Sequence, residues 1–453
     1  MNTAKMIDDC IFAIPVGNRF GCNDTDVNLI YAPLSNNMLL ADTATVATLE
    51  QTAISPVSTD SEYSDLLAQL KTATDLQIRN STAPDVYQTL YVLPNYFCNL
   101  SCSYCYSAKG RSGKHLSEEH LRATLDYFVD SARCGEKPLK ISFVGGGEPL
   151  LSWDIVKQGV EYANKLASSQ NIKLHFGFIT NGTVVSPEII NTVKKYNVHP
   201  RISFEILEDL QNKQRGQYDK VCRTLDLLAE AGITTEIRSV ITQSAVERIE
   251  EMVEEVFRRF PFVRTVYFDP VADHNLFRDV NFTRTFYNTY REAMLKARRI
   301  AASNGKNVLC AVSRSLETIS DRYCNGEFCL TPEGTVSICL EVSSPDEETY
   351  SQNIYGAVNG ENILVIDREK YSVLRQNQMA DIYPECCQCF VKWNCGGGCT
   401  AERRRYTVEI QNVICDFVRD FSCDLLLEKL DETEMETSGS SLMELITQNL
   451  KNK

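Results

Sequence analysis

The sequence has no uninterrupted apolar run near the roughly 20 residues that a transmembrane helix requires. Its first nine residues, MNTAKMIDD, lack the basic start and the long apolar core of a secretory signal peptide. Basic charge is also scarce, because 46 Lys and Arg against 60 Asp and Glu give a net charge of −14 at pH 7. Such a chain has no overall attraction to nucleic acid or to an anionic membrane surface. These absences predict a cytoplasmic protein without a nucleic-acid or membrane partner.

Cysteine, in contrast, is abundant, with 18 residues in a chain of 453. In a reducing compartment a disulfide framework is not expected, and clustered cysteines indicate metal ligands or redox groups. Eleven of the 18 fall within residues 306–425, and three more lie close together near residue 100. We interpret the scattered ones as small apolar packing residues: Cys10, Cys22, Cys134, Cys222 and Cys423.

From about residue 86 the sequence alternates between six strand patterns and six helical patterns. One helix start is well marked, because Ser186-Pro187-Glu188 places a capping hydroxyl before a proline and an acidic residue. The alternation predicts parallel βαβ units with right-handed crossovers. Six units are too few for a closed eight-fold barrel, so we predict an α/β fold with an open, partial (β/α)6 barrel. The strands are predicted at 86–93, 139–144, 173–180, 200–205, 234–241 and 264–268.

The chain is predicted to have four segments. In the first, apolar runs at 27–31 and 37–40 indicate strands, a polar Ser/Thr-rich stretch at 55–64 indicates a loop, and 66–70 has a helical pattern. The Cys-rich third segment is expected to be organised by metal more than by a hydrophobic core. The segments are a small N-terminal domain at 1–84, the partial barrel at 85–305, the Cys-rich domain at 306–425, and an acidic linker with a short helix at 426–453.

Three cysteines follow the first predicted strand with the spacing CX3CX2C, namely Cys98, Cys102 and Cys105. Three thiolates in one loop can bind three irons of a 4Fe–4S cube, which leaves the fourth iron open to a small chelating molecule. A structural zinc site would need a fourth ligand, and His115 is the nearby candidate for it. Three reduced packing cysteines are a further alternative.

A CX3CX2C loop with an aromatic residue before its last cysteine resembles the cluster motif of the radical S-adenosylmethionine (SAM) superfamily. The resemblance implies that Cys98, Cys102 and Cys105 ligate the catalytic cluster, whose open iron holds the amino and carboxylate groups of SAM. Reductive cleavage of SAM then gives a 5′-deoxyadenosyl radical. The resemblance also implies that Tyr104 lies near the adenine.

Two motifs at the ends of the next strands are similar to SAM-contacting segments of that family. Gly145 begins the run GGGEP, which resembles the GGEP motif, where glycine lets the backbone approach the methionyl amino group. Asn181 follows the third predicted strand, where an ordinary turn is the alternative interpretation. The contacts to SAM implied here are Gly146, Gly147, Glu148, Pro149 and Asn181.

The fourth predicted strand departs from the pattern of many relatives, which have Ser-X-Asp-Gly there. This chain has Glu205 in place of the aspartate and Ile206 in place of the glycine. By similarity, Ser203 and Arg223 are candidates to bind the SAM carboxylate. For Arg223 on the following helix, a solvated surface arginine is the alternative.

The C-terminal cysteines have the spacing CX2CX5CX3C from Cys386, followed by Cys415, and CX9GX4C from Cys324 upstream. This arrangement resembles the SPASM extension, which carries two auxiliary 4Fe–4S clusters, so the resemblance covers about residues 86–423 and implies three clusters. The outer-cluster ligands implied are Cys386, Cys389, Cys395 and Cys415, and the inner-cluster ligands are Cys324, Cys339 and Cys399. For the inner cluster's fourth ligand, Cys310, Cys329 and an open site remain alternatives, and Cys387 is interpreted as a spectator.

The resemblance implies a radical SAM oxidoreductase, and we favour a peptide maturase that forms a thioether or carbon–carbon crosslink in a ribosomally made peptide. Residues 1–84 are weakly similar to leader-recognition domains, although a lid that shields radicals is the alternative. The partners implied are a precursor peptide and a flavodoxin- or ferredoxin-type electron donor. Other candidates are a sulfatase-maturase-type or small-molecule enzyme and an iron–sulfur electron carrier. In sulfatase maturases an aspartate base follows the second inner-cluster cysteine, whereas here Leu340 and Glu341 follow Cys339.

Overall fold

The structure is a computed structural model of the chain, and it describes residues 4–8, 10–23, 26–54, 61–72, 87–134, 138–324, 328–342 and 344–451. These residues form a four-stranded sheet and an eleven-stranded sheet with helices around them. None of the helices in these ranges is long and apolar enough to cross a membrane. Most of the predicted loop at 55–64 and the predicted boundary near residue 84 lie outside the described residues.

The N-terminal sheet is antiparallel in the order β1-β2-β3-β4, and it confirms the strands predicted at 27–31 and 37–40. Two helices cover one face of it, where Ile30 packs with Leu49 and Leu67. The elements are β1 (Lys5–Asp8), β2 (Ile11–Pro15), β3 (Asn28–Ala32), β4 (Asn37–Ala41), α1 (Thr43–Ile54) and α2 (Ser61–Lys71).

The large sheet contains all six strands predicted from the alternation, each parallel to its neighbour and in chain order. A seventh parallel strand, which was not predicted, extends it. The strands are β5 (Thr89–Val92), β6 (Leu139–Phe143), β7 (Leu174–Thr180), β8 (His199–Ser203), β9 (Glu236–Ile241), β10 (Thr265–Pro270) and β11 (Asn307–Leu309).

Helices connect these strands, and their apolar faces pack on one side of the sheet. Leu90, Ile141 and Phe176 of the strands share one core with Val156 and Val160 of the helices. The helices are α3 (Glu118–Phe128), α4 (Trp153–Ser169), α5 (Pro187–Tyr196), α6 (Glu208–Gln214), α7 (Tyr218–Glu230), α8 (Ile249–Arg259) and α9 (Val280–Ser303).

The predicted helix start at residue 186 is confirmed, because the Ser186 hydroxyl accepts a hydrogen bond of 3.2 Å from the Ile189 amide. The Cys-rich region also adds strands to the large sheet, since Cys329 lies opposite Tyr91 in a parallel pair. The sheet is open, with β11 at one edge and the last strand of this region at the other. This part contains α10 (Ala311–Ser315), β12 (Phe328–Leu330), β13 (Thr335–Ser337), α11 (Tyr350–Asn353), β14 (Ile354–Val358), β15 (Leu364–Ile366), α12 (Arg368–Gln376), α13 (Lys392–Cys395) and α14 (Thr400–Arg403).

The C-terminal segment corrects the linker predicted at 426–453. The helix α15 (Val408–Ser438) runs through its first half, and α16 (Leu442–Lys451) follows. The physical reason is burial: Leu426 and Leu430 pack against Leu29 and Tyr31 on the second face of the N-terminal sheet. Tertiary packing therefore stabilises a helix whose acidic sequence suggested a linker.

Candidate active site and cluster ligands

The CX3CX2C loop follows β5 and lies against α6. The Ser103 amide donates to the Gln214 carbonyl oxygen over 3.0 Å, and the Cys105 amide donates to the Cys102 carbonyl oxygen over 3.2 Å. The three thiols lie close enough to interact electrostatically, and burial raises the pKa of Cys102 while the neighbouring Arg215 opposes that rise. The structure therefore brings the three predicted ligands Cys98, Cys102 and Cys105 together.

Two arginines face this loop. Arg111 donates to the Cys105 thiol over 3.2 Å and to the Leu100 carbonyl oxygen over 2.7 Å. Arg215 ends α6, with a side chain only 10% exposed, and lies 3.8 Å from the fully buried Glu205 carboxylate. Burial raises the pKa of Glu205, and the charge of Arg215 opposes that rise. Glu205, which replaces the aspartate of the family pattern, therefore pairs with the Arg215 cation beside the loop.

Tyr104 joins this pair, since its hydroxyl contacts Glu205 and accepts a hydrogen bond of 2.8 Å from Arg215. Glu205 and Arg215, two buried charged groups, therefore hold the hydroxyl of Tyr104, the predicted adenine contact. Tyr104 also borders the cavity described below, so its ring remains available to a ligand. Its role toward SAM stays a prediction.

The GGGEP run after β6 lies directly under the cluster loop. A Cβ on Gly147 would lie 1.9 Å from the Phe97 carbonyl oxygen, so only glycine permits this approach. Gly146 has φ of +79°, the left-handed region that favours glycine. Glu148 and Pro149 are buried, and Pro149 begins a short helical turn.

Glu148 connects the ends of two strands. Its carboxylate accepts hydrogen bonds from the Leu150 amide, the Thr180 hydroxyl and the Asn181 amide over 3.0, 2.6 and 2.7 Å. Asn181 in turn donates to Asn99 over 2.9 Å and contacts the Cys98 thiol at 3.7 Å. The acidic residue of the motif therefore positions the edge of the sheet, and Asn181 touches the cluster loop.

The structure constrains the predicted SAM contacts of Ser203 and Arg223 less closely. Ser203 ends β8, lies opposite Arg238 of β9 and is half-buried. Arg223 is exposed on α7, next to Thr224, whose hydroxyl donates to the Gly182 carbonyl oxygen over 2.7 Å. The structure thus places both near the carboxyl ends of β7 and β8, and their contact with SAM stays a prediction.

The predicted outer-cluster ligands are brought together from three parts of the chain. The Cys395 thiol, at the end of α13, interacts electrostatically with those of Cys386, Cys389 and Cys415, and burial raises its pKa to about 12. Arg403 lies beside them, with its Nη2 atom 3.7 Å from the Cys415 sulfur and 4.0 Å from the Cys386 sulfur. The spectator Cys387 is exposed.

The predicted inner-cluster ligands also share one region. The Cys399 thiol interacts electrostatically with that of Cys339, and both Cys399 and Cys324 neighbour Tyr323. One ligand atom each from Glu341, Cys399 and Glu402 lies within 4.8 Å of the others. Burial and the Glu341 charge raise the pKa of Glu402 to about 7.

The two candidates for a fourth inner ligand lie apart. Cys310 is buried beside Ser313 and Tyr290, and it lines a cavity of about 130 Å³ together with Tyr323 and Cys399. Cys329 is buried in β12, in an apolar cluster with Leu93, Tyr96 and Val144. Of the two, Cys310 is the one that shares a cavity with a predicted inner ligand.

A cavity of about 620 Å³ lies between the cluster loop and the Cys-rich region. Cys105 and Tyr106 line it on one side, and Cys339, Thr400 and Arg405 line it on the other. The predicted catalytic loop and a predicted inner-cluster ligand therefore border the same space.

The residues present fit iron–sulfur clusters and an anionic group of SAM. Arg111 Nε and Arg215 Nε are shielded from solvent and have no hydrogen-bond partner among the described residues. Cations beside thiolates offset the negative charge that a ligated cluster carries. A 4Fe–4S cluster held by the three loop thiols would have one iron left for SAM, and the glycine cradle would offer it bare backbone groups.

Sequence reasoning missed the arginines at both thiol groups. Arg215 ends a seven-residue helix that was not predicted, and Arg403 lies in a run of three arginines that resembles an exposed surface. Arg403 pairs with Glu385 over 2.8 Å and stands 4.0 Å above the Tyr383 ring. A single sequence contains no signal for either placement, because both depend on tertiary contacts.

Comparisons with known proteins agree with this geometry. Residues 92–267 match the model of the Radical SAM superfamily. The radical SAM cyclopropyl synthase TigE of Paramaledivibacter caminithermalis is 29% identical over 121 residues, which are 24% of this chain and 25% of that protein. The cysteine-type anaerobic sulfatase-maturating enzyme of Clostridium novyi is 19% identical over 285 residues, which are 56% of this chain and 75% of that enzyme.

The fold is also found in a solved structure, native anSMEcpe with bound AdoMet. The two share a TM-score of 0.61 and 16% sequence identity, over 75% of this chain and 98% of that one. The chain spans 54% and 25% of the length of the first two curated relatives that it matches. Together with the cysteine loop and the glycine cradle, the match shows that residues 92–267 are similar to the Radical SAM superfamily.

Proposed function

We propose that this chain is a radical SAM peptide maturase that removes hydrogen from a side chain of a ribosomally made peptide and installs a thioether or carbon–carbon crosslink. The observation that carries the proposal is the cavity of about 620 Å³ bordered by Cys105 and Cys339. Its volume suits a peptide side chain and its neighbours. The names of relatives, a sulfatase-maturating enzyme and a sporulation killing factor maturation protein, support a polypeptide substrate.

When bound at Cys98, Cys102 and Cys105, a 4Fe–4S cluster and SAM would supply the electron and the radical that removes the hydrogen atom. The chain's own residues position these groups. Arg215 and Arg111 place positive charge beside the thiols, and Gly147 allows the strand end to approach the loop. Placing the substrate cavity beside Cys339 brings a site of electron removal close to the modified side chain.

Two auxiliary clusters are proposed on the remaining cysteines, with Cys386, Cys389, Cys395 and Cys415 at the outer one. Three 4Fe–4S clusters predict about twelve irons per chain in anaerobically reconstituted protein. Cys102→Ala is expected to abolish 5′-deoxyadenosine formation and to leave about eight irons, since the C-terminal thiols are unchanged. An iron count near four in the unsubstituted protein would contradict the auxiliary clusters.

A precursor peptide is proposed to bind the N-terminal sheet as an added strand. In the described part of the chain, β1 and β4 each pair on one side only. β1 is tied to the helices by the ion pairs Lys5–Glu50 and Asp8–Lys71, at 2.6 and 2.5 Å. Residues 37–40 of β4 are half-exposed and carry no charged side chain that could tie the strand to the helices, so the proposal places the added strand at this edge.

Hydrogen exchange tests the leader site directly. Adding the precursor peptide is expected to slow exchange at amides of β4 and to leave those of β1 unchanged, which serve as the internal control. Equal protection of both edges, or protection of neither, would contradict leader binding at β4. The domain packs against Leu426 and Leu430, so truncation of residues 1–84 would expose apolar surface and is a less specific test.

The activity test takes as its substrate any short Cys-rich or aromatic-rich peptide that a neighbouring gene encodes. Reconstituted enzyme, SAM and a flavodoxin- or ferredoxin-type reductant are expected to give a peptide that has lost two hydrogens per crosslink and equal amounts of 5′-deoxyadenosine. Fragmentation by mass spectrometry locates the bond. Turnover of a small molecule with no peptide present would contradict the proposal.

A sulfatase-maturase-type oxidation is the second candidate, and one observation favours it. A carboxylate oxygen of Glu341, a carboxylate oxygen of Glu402 and the sulfur of Cys399 all lie within 4.8 Å of one another. A carboxylate with a pKa raised to about 7 suits a base at neutral pH, although the residue after Cys339 is not acidic. Oxidation of a cysteine-bearing sulfatase peptide, lost in Glu402→Gln and retained in the exposed-site control Glu409→Gln, would favour this candidate.

A further inference from the structure

A second large cavity opens at the edge of the sheet opposite the cluster loop. It has a volume of about 690 Å³ and is lined by the amino ends of β6, β7 and β8. The cluster loop, the glycine run and Asn181 follow the carboxyl ends of parallel strands, so this cavity lies at the other end of the half-barrel. Nothing in the proposed radical chemistry uses it.

Basic groups dominate its lining. The groups that can carry positive charge there are Lys140 of β6, His175 of β7, Lys194 of α5, and His199 and Arg201 of β8. Glu236 of β9 is the acidic group that faces them, and Arg201 and His199 already hold it at 2.9 and 3.4 Å. These contacts hold the pKa of Glu236 at about 2, well below its usual value.

Lys140 is left without an opposite charge of its own. The residue is half-buried, and in the described ranges its ammonium group has no hydrogen-bond or ion-pair partner. Burial lowers the pKa of Lys140, and the charges of Arg201, Arg314 and Arg238 lower it further. A half-buried ammonium among other cations costs free energy unless an anion binds there.

On the same face of the sheet, Arg238 is a second cation with a polar atom that lacks a partner in the described part of the chain. Its Nε atom is shielded from solvent and has no hydrogen-bond partner among the described residues. The guanidinium stands 4.5 Å above the Tyr267 ring, and Arg314 stands 5.5 Å above the same ring. The half-buried Asp269 is the carboxylate that faces Arg238. Positive charge therefore exceeds negative charge along this face.

We propose that this cavity is a binding site for a small phosphate-bearing molecule, with Lys140 as its central contact. A phosphate monoester carries close to two negative charges at neutral pH and offers three acceptor oxygens, which suits Lys140, Lys194 and the two imidazoles. The volume exceeds that of a phosphate ion and lies in the range of small-ligand pockets, so the ligand has an organic portion.

Isothermal titration calorimetry of the full-length, anaerobically reconstituted protein tests the proposal, with glycerol 3-phosphate, inorganic phosphate and glycerol as separate titrants. Glycerol 3-phosphate is expected to bind saturably at one site per chain, and glycerol is not. Binding of inorganic phosphate with equal affinity would keep the site and identify free phosphate as its ligand. Binding of glycerol with the same affinity as glycerol 3-phosphate would overturn the proposal, because the phosphate group would then contribute nothing.

Lys140→Met is expected to weaken phosphate binding by about tenfold or more, because one charge-assisted contact is lost. Lys194→Met, at an exposed position that tolerates substitution, is expected to weaken it in the same direction. Lys195→Met is the matched control, since this neighbour lies over the Tyr196 ring and does not line the cavity. No saturable binding, or equal affinity in all three variants, would overturn the proposal.

Discussion

Arg215 donates a hydrogen bond of 2.8 Å to the hydroxyl of Tyr104, which connects the end of α6 to the residue before the last cysteine of the CX3CX2C loop. The same guanidinium lies 3.8 Å from the buried Glu205 carboxylate. A charged network therefore holds the loop that carries the predicted iron ligands. Because the network is buried, each member is costly to remove alone.

Replacing Arg215 tests this network. Arg215→Gln leaves the Glu205 carboxylate buried without a cation, which costs about 3–5 kcal/mol in comparable sites. We expect lower iron occupancy at the catalytic loop and a weaker SAM-dependent change in the electron paramagnetic resonance spectrum. Lys213→Gln, at an exposed position of the same helix, is the matched control and should behave like the unsubstituted protein. Unchanged SAM binding in Arg215→Gln would show that the network is dispensable.

The glycine cradle gives a steric prediction. Gly147→Ala places a methyl group 1.9 Å from the Phe97 carbonyl oxygen, so the cluster loop must shift. Overpacking of this kind costs about 1–3 kcal/mol, and we expect SAM affinity to fall by about tenfold or more. Equilibrium binding of SAM measures the effect. Gly113→Ala is the control, because its added methyl group meets nothing within 4 Å, and equal losses in both variants would contradict the steric argument.

The inner cluster's fourth ligand can be decided by two serine variants. Cys310→Ser is expected to lower the iron content or change the auxiliary-cluster signals, because Cys310 shares a cavity with Cys399. Cys329→Ser is expected to retain the full iron content, since that thiol lies among apolar residues of the sheet. Iron analysis and Mössbauer spectra of both proteins provide the measurement. The reverse result would assign the ligand to Cys329.

The strands and their order could be predicted because their physical signal is local. In β6, for example, Leu139 and Ile141 face the helices while Lys140 faces the concave side, so apolar and polar residues alternate. The cysteine spacings were equally informative, since a loop of fixed length limits which thiols can meet. Local pattern therefore predicted the parallel strands and their order, and the ligand set drawn from the cysteine spacings stays a prediction.

The rest depends on contacts that are distant in sequence. The acidic end of α15 is helical because Leu426 and Leu430 meet the N-terminal sheet, about 400 residues earlier in the chain. Arg215 becomes a buried cation only because the loop around Tyr104 folds over it. The seventh strand, β11, spans three residues, too few to show an alternation. None of these features leaves a periodic trace in the sequence.

One position carries backbone strain that a pair of substitutions can measure. Ile206 stands where many relatives have glycine, and it has φ of +65°. The left-handed region costs an L-residue about 1–2 kcal/mol, and a branched Cβ makes it still less favourable. The side chain is only 1% exposed, so its packing in the main core offsets that strain.

Ile206→Ala should lose the packing and keep the strain, with a cost of about 2–5 kcal/mol. Ile206→Gly should lose the same packing but relieve the strain, so we expect it to unfold at a higher temperature than Ile206→Ala. Ile202 in β8 is the control, because it is equally buried and has no left-handed backbone. There the usual order should hold, with alanine more stable than glycine by about 0.5–1 kcal/mol. Anaerobic calorimetry measures the unfolding temperatures of the four variants. If the alanine variant unfolds at a higher temperature than the glycine variant at both positions, the backbone at Ile206 is not strained.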